Sequence, residues 1–351
     1  MAAREGVQFR DSPMGVRTEK SADGGAHPVL RTRLAPSPTG ALHLGNARTF
    51  LINWALAKQR GWRIVLRIED LDTPRVKPGA TEGVYRTLEA LGLLWDEGPI
   101  VQSDDLEPYR RAMEKLAAAG KVYPSSHSRG EIDDAGASAL SAPQEGARES
   151  VFPASSRPVV FPMQFESGGG EENWRFATPD EAVEFEDGFA GGQSHRPAET
   201  VGDFVVWTKR AQPSYQLAVV VDDARQGITH IVRGNDLLDS AARQRLLMPA
   251  LGIEHPPSYL HLPLVRGEDG KRLAKRHGDT RIDSYLAAGV HPHRVIALLA
   301  RWSGLSGDAE AMTAEEFARA FDLSRVPKCD VVFTPRDDRW LKQKMVKGRE
   351  V

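Results

Sequence analysis

The sequence predicts an α/β protein with an inserted subdomain and a short helical part on its C-terminal side, and three observations predict it. Residues 31–68 read as strand, Pro/Gly-containing turn, helix and strand. Strand-like apolar runs recur at 203–209, 215–222 and 228–233, followed by a helix over 236–251. Beyond residue 276 the pattern becomes helical.

The first element is the apolar-basic run that opens residues 31–45, RTRLAPSPTGALHLG. Ala47, Phe50, Leu51, Trp54 and Ala55 then recur at helical spacing, and Gly61 closes the helix. A second strand follows over 62–68. Strand, turn, helix and strand open a Rossmann-like unit, in which ligands sit over the carboxyl ends of the strands. Residues 31–67 hold seven Lys/Arg and no Asp or Glu. An unopposed basic field beside a helix N-terminus suits a polyphosphate. Residues 104–120 form a helix with Leu106, Tyr109, Met113 and Leu116 on one face. Residues 123–172 are dominated by Ser, Gly, Ala and Pro, which marks a poorly structured insertion with a few short elements. A turn at 212–214 separates two of the later strands, and Gly252 stops the helix over 236–251. Pro292 begins one C-terminal helix, and Thr313 with Glu316 forms a capping box for another.

These elements imply a disordered extension at 1–28 and a first half of a Rossmann-like domain at 29–122. An inserted subdomain follows at 123–200, the second half of the domain at 201–265, and a loop with a helical subdomain at 266–345.

With 351 residues the chain can bury a large core. Its formal net charge of -2 requires local basic patches for any nucleic-acid contact. A single cysteine, Cys329, excludes an internal disulfide and a Cys-cluster metal site. No run approaches the ~18 apolar residues of a membrane span, and no apolar signal core opens the chain. The expectation is a cytoplasmic monomer with no membrane contact.

Residues 31–45 resemble the first signature of the class I aminoacyl-tRNA synthetases, in the form carried by the glutamyl branch. The resemblance implies that His43 and Asn46 contact ATP, with Gly45 in the same turn. Downstream, GKRLAKR at 270–276 places several cations on a Gly-containing loop and resembles the second signature. Arg272 and Lys275 then bind ATP, and Lys275 matches the lysine that neutralises charge developing on the triphosphate. Ala274 stands where that signature usually carries Ser.

RIEDLD at 67–72 is an acidic cluster that could bind a metal or cap the next element. The resemblance implies instead that Glu69 meets the substrate amino group, and that Arg33, Ala35 and Ser37 line the glutamate site. Arg233 ends an apolar strand just before Gly234, which points its guanidinium into the cleft, and a planar fork suits a carboxylate. The resemblance adds Tyr215 to that pocket, while Asp222 and Asp223 serve structure. Arg33 and Arg233 together point to an anionic amino acid.

The resemblance spans about residues 31–335, and the ending DLSRVPKCDVVFTP is similar to that of the truncated glutamyl-queuosine tRNA(Asp) synthetases. That family activates L-glutamate with ATP and Mg²⁺ without tRNA. It then esterifies queuosine in the anticodon loop of tRNA(Asp). The alternatives are a shortened glutamyl-tRNA synthetase charging the tRNA 3′ end and a non-catalytic nucleotide- or RNA-binding paralogue. Glutamate-dependent pyrophosphate exchange without tRNA separates them.

Many members of the family hold zinc on a C-x-C segment and a Y-x3-C segment. The matching positions here are Ser125, His127, Phe152 and Ser156. Only His127 is a zinc ligand, so the expectation is no structural zinc and a subdomain held by packing alone.

Overall fold

The computed structural model describes residues 18–20, 26–126, 151–166, 172–271, 273 and 279–343. The chain divides into two compact units. Unit I comprises Met1–Arg31, Val101–Ile231 and Asp236–His261; unit II comprises Thr32–Ile100, Val232–Asn235 and Leu262–Val351. Of the expected N-terminal extension, residues 18–20 and 26–28 are described, as two short antiparallel strands.

The chain first builds β1 (Arg31–Leu34), α1 (Leu44–Arg60), β2 (Arg63–Ile68), α2 (Ala80–Ala90) and β3 (Glu97–Val101). The strands form one sheet in the order β1-β2-β3. Helix α1 buries Leu44, Leu51, Ile52, Ala55 and Leu56, and Gly61 ends it in the left-handed conformation at φ 66°. A residue with a Cβ is strained there, which is why glycine closes this helix. Asn53 ties α1 to β1: it accepts from Thr32 Oγ1 at 2.8 Å and donates to the Arg33 carbonyl at 2.9 Å.

Unit I continues with α3 (Glu107–Ala118), whose Tyr109, Met113 and Leu116 are fully buried. Burying side chains of this size stabilises by about 1.5–3 kcal/mol each. β4 (Val122–Ser125), β5 (Asn173–Phe176), β6 (Val183–Asp187), β7 (Gly191–His195) and β8 (Val205–Thr208) follow. β5 pairs antiparallel with both β4 and β8, and β6 pairs antiparallel with β7. In β6 buried and exposed residues alternate strictly, as a sheet with one covered face requires.

The chain then forms α4 (Tyr215–Arg225), β9 (His230–Gly234), α5 (Leu238–Ala250) and β10 (Ser258–Leu262), with β10 parallel to β6 through Tyr259 and Asp187. The last part of unit II holds β11 (Val265–Arg266), α6 (Ile282–Ala287), α7 (Pro292–Trp302), α8 (Ala314–Ala320), β12 (Val331–Val332) and α9 (Pro335–Lys342). The capping box at Thr313 and Glu316 is present at the start of α8.

The strand expected over 215–222 is the helix α4. Ser214 caps it, its hydroxyl accepting from Leu217 N at 3.3 Å. Residues 215–220, 222 and 223 are all buried, so the run carries no polar face to reveal a helical period. Three consecutive valines then read as β-branched strand. Tertiary packing overrides that local preference.

Candidate functional site in unit II

The turn into α1 is built around His43. Its backbone is extended, and its Nδ1 accepts from Gly45 N at 3.1 Å and Asn46 N at 3.4 Å. An accepting Nδ1 places the proton of the neutral ring on Nε2, which is thereby a donor. The first turn of α1 contains no acid, so no side chain of that turn offsets the positive end of the helix dipole. A Cβ on Gly45 would lie 3.1 Å from the His43 ring and 3.6 Å from Val265 Cβ. Glycine is what lets the imidazole fold back over the helix start.

The segment after β1 and the segment after β2 lie side by side. Glu69 N donates to the Pro36 carbonyl at 3.0 Å, which brings Ala35 and Ser37 next to Glu69. The Glu69 carboxylate is held by Arg67, whose Nη2 reaches Oε1 at 3.0 Å and whose Nε reaches it at 3.3 Å. Arg67 is fully buried and Glu69 is 13% exposed. Arg67 was not singled out from the sequence, although two residues apart on a strand means the same face. Arg33 and Arg233 are both buried, on β1 and β9. Tyr215 is buried at the first turn of α4, in unit I. Arg272 and Lys275 lie outside the described residues.

The segment that carries the second basic motif is flanked by residues bonded to the α1 turn. Leu44 N donates to the Thr280 carbonyl at 3.1 Å and Ile282 N to the Leu42 carbonyl at 2.9 Å. His43 and Arg281 form an antiparallel bridge between these bonds.

A match to the family model for the catalytic domain of the class I tRNA synthetases for Glu and Gln extends over residues 29–337. The chain belongs to the class I tRNA synthetases. This synthetase is 44% identical over 310 residues to a glutamyl-Q tRNA(Asp) synthetase of Symbiobacterium thermophilum, covering 86% of this chain and 94% of that protein. It is 36% identical over 328 residues to a glutamate–tRNA ligase of Thiobacillus denitrificans, covering 92% of this chain and 68% of that protein. A solved glutamate–tRNA ligase of Elizabethkingia meningosepticum, in complex with its amino acid, matches with a TM-score of 0.72 at 29% identity, over 89% of this chain and 68% of that one. The synthetase is thus an α/β ligase of a family that uses ATP. No helix among its described residues is long and apolar enough to cross a membrane.

Unit I holds the four positions that the resemblance matches to zinc ligands. Ser125 and Phe152 are buried, Ser156 lies in the short turn at Ala154–Ser156, and His127 lies outside the described residues. Among the described residues no three His, Cys, Asp or Glu side chains are grouped to hold a metal. A serine hydroxyl and a phenyl ring do not fit zinc.

Those segments are joined by Asp203, 1% exposed. It accepts from Tyr123 Oη at 2.5 Å, Arg157 Nε at 2.7 Å, Arg157 Nη2 at 2.6 Å and Thr178 N at 2.9 Å. Arg175 donates to the Asp203 carbonyl at 2.7 Å, and its guanidinium stacks 3.8 Å from the Phe152 ring centroid. Packing alone, the sequence expectation, is therefore corrected: a buried ionic network binds this region together. Burial lowers the Arg175 pKa to about 10, and burial with the bond to Asp203 raises that of Tyr123.

Proposed function

We propose that the synthetase activates L-glutamate with ATP·Mg²⁺ to glutamyl-adenylate without tRNA. It then transfers glutamate to queuosine at the wobble position of tRNA(Asp). The observation that carries this reading is the higher identity to glutamyl-Q tRNA(Asp) synthetases, 44% and 43%, than to the glutamate–tRNA ligase of Thiobacillus denitrificans, 36%. The buried cations Arg33 and Arg233 and the half-buried carboxylate Glu69 support an amino-acid substrate with an anionic side chain.

In this reading a substrate carboxylate oxygen attacks the α-phosphorus of ATP and pyrophosphate leaves. The His43 Nε2–H and the amides at the start of α1 meet phosphate oxygens, with Asn46, Gly45 and Arg272 completing the ATP contacts. Lys275 offsets the charge that grows on the leaving pyrophosphate. Glu69, held by Arg67, takes the substrate ammonium. Arg33, Ala35, Ser37 and Arg233 complete the glutamate pocket. The catalytic halves span 29–122 and 201–265, the insertion 123–200, and the helical part 266–345. The protein works as a monomer, in the cytoplasm and without structural zinc.

The glutamate–tRNA ligases among its relatives favour a second reading, glutamylation of a tRNA 3′ end. Glutamate-dependent exchange of labelled pyrophosphate into ATP without tRNA supports the first reading. So does labelling of queuosine-bearing tRNA(Asp) that survives removal of the 3′ adenosine. No exchange and no labelling overturns it.

A further inference from the structure

Helix α1 carries a charge that the reading above does not use. Arg48, one turn after Leu44, is 1% exposed. Its Nη1 donates to the Pro263 carbonyl at 2.7 Å, while Nε and Nη2 have no hydrogen-bond partner among the described residues. A buried cation with unmet donors is costly, because those donors lose water and gain little in exchange. The core alone is a poor reason for a cation at this position.

What Arg48 touches shows its use. Pro263 begins the strand segment that leads into the second basic motif. The next residue, Leu264, donates its amide to Asp330 Oδ1 at 2.8 Å. Arg266 pairs with Asp330 Oδ2. β11 and β12 then run parallel, with Val331 N on the Leu264 carbonyl at 2.9 Å and Phe333 N on the Arg266 carbonyl at 2.8 Å. Burial lowers the Arg48 pKa, and the Asp330 charge acting across this segment offsets part of that, leaving it at about 10. On the far side of the motif, Thr280 and Ile282 are bonded to Leu44 and Leu42. Both flanks of the motif are thus fastened to residues 42–48, one by backbone and one by Arg48.

We propose that Arg48 is a positioning residue for adenylate formation: with Asp330 it holds the 263–266 segment in register against the His43 turn. The inference rests on the adenylation reading. A directional contact from a fixed guanidinium sets where the segment sits, which hydrophobic contact would leave free to slide. Misplacement by about 1 Å far from the chemistry can cost on the order of a hundredfold in rate.

The test uses the full chain, with Arg48→Met, Arg48→Lys and Asp330→Asn. The expected result for Arg48→Met is a pyrophosphate-exchange kcat lowered roughly tenfold to a hundredfold. Its KM for glutamate stays near the wild-type value, and its melting temperature falls by only a few degrees, the effect of one hydrogen bond lost from a buried carbonyl. Arg48→Lys, which keeps one donor for Pro263, recovers part of the rate, and Asp330→Asn shows a milder loss of the same kind. An unchanged kcat in Arg48→Met overturns the inference. So does a rate loss that tracks a falling melting temperature in all three variants, which would mark a purely structural cation. If wild-type protein shows no exchange, the adenylation reading fails by itself. Hydrogen exchange then decides: faster exchange at Leu264 and Val331 in Arg48→Met, confined to that segment, supports the positioning, and unaltered exchange refutes it.

Discussion

Replacing Asp203 with Asn tests what holds the insertion-bearing region together. The substitution keeps shape and removes one charge. Of the four contacts to the carboxylate, two meet Oδ1 and two meet Oδ2. An amide in the same place can keep the pair on its oxygen, Arg157 Nη2 and Thr178 N. Its NH₂ then faces Arg157 Nε–H, donor against donor, while the Tyr123 hydroxyl can turn to accept. One charge-assisted bond is lost, and Arg157 and the buried Arg175 lose their nearest counter-charge. Breaking a buried ion pair from one side costs about 3–5 kcal/mol. Arg157 keeps 29% of its side-chain surface in water, which puts the expected cost at the lower end, about 3 kcal/mol. For a unit of this size each kcal/mol lowers Tm by about 2–4 °C, so the melt should fall by roughly 6–12 °C. Calorimetric melts at neutral pH, with and without chelator, measure it. Two results would refute the reasoning. One is a loss under about 2 °C, below the shift of a single kcal/mol. The other is a chelator-sensitive wild-type melt with stoichiometric zinc, which would mean that His127 has found ligands.

Three further outcomes follow from the site and its surroundings. Arg233→Leu leaves a substrate carboxylate without its partner and should weaken glutamate use by roughly 2–5 kcal/mol; unchanged KM and kcat would exclude this arginine from the pocket. Lys275→Ala should slow adenylate formation far more than it weakens ATP binding; single-turnover rates beside equilibrium ATP binding check this, and a loss in affinity alone would make Lys275 a ground-state ligand. Burial pushes the Asp187 carboxyl up, but its bonds from His261, Ala190 N and Phe189 N outweigh that and hold its pKa below the ordinary value. A carboxyl depressed in the folded state stabilises above its unfolded pKa, about 4, and that stability is lost as pH falls through the folded value. The stability gap between wild type and Asp187→Asn should therefore be full at pH 6 and shrink below about pH 4; a gap that does not change with pH would show that the charge contributes nothing.

The sequence by itself determined the elements whose signals are local. The α1 periodicity, the glycine at its end, the His43 turn, the proline at the start of α7 and the capping box of α8 are each written within a few residues. The family resemblance was legible too, because its motifs are short and contiguous. Tertiary structure alone decided α4, since a helix buried on nearly all sides shows no polar stripe. It also decided the partners of the buried charges. Arg48 meets a carbonyl 215 residues away, and Tyr123 meets Asp203 across 80. A buried charge must find a partner or carry a desolvation penalty. Which partner it finds depends on where the whole chain brings polar atoms together, and no spacing along the sequence encodes that.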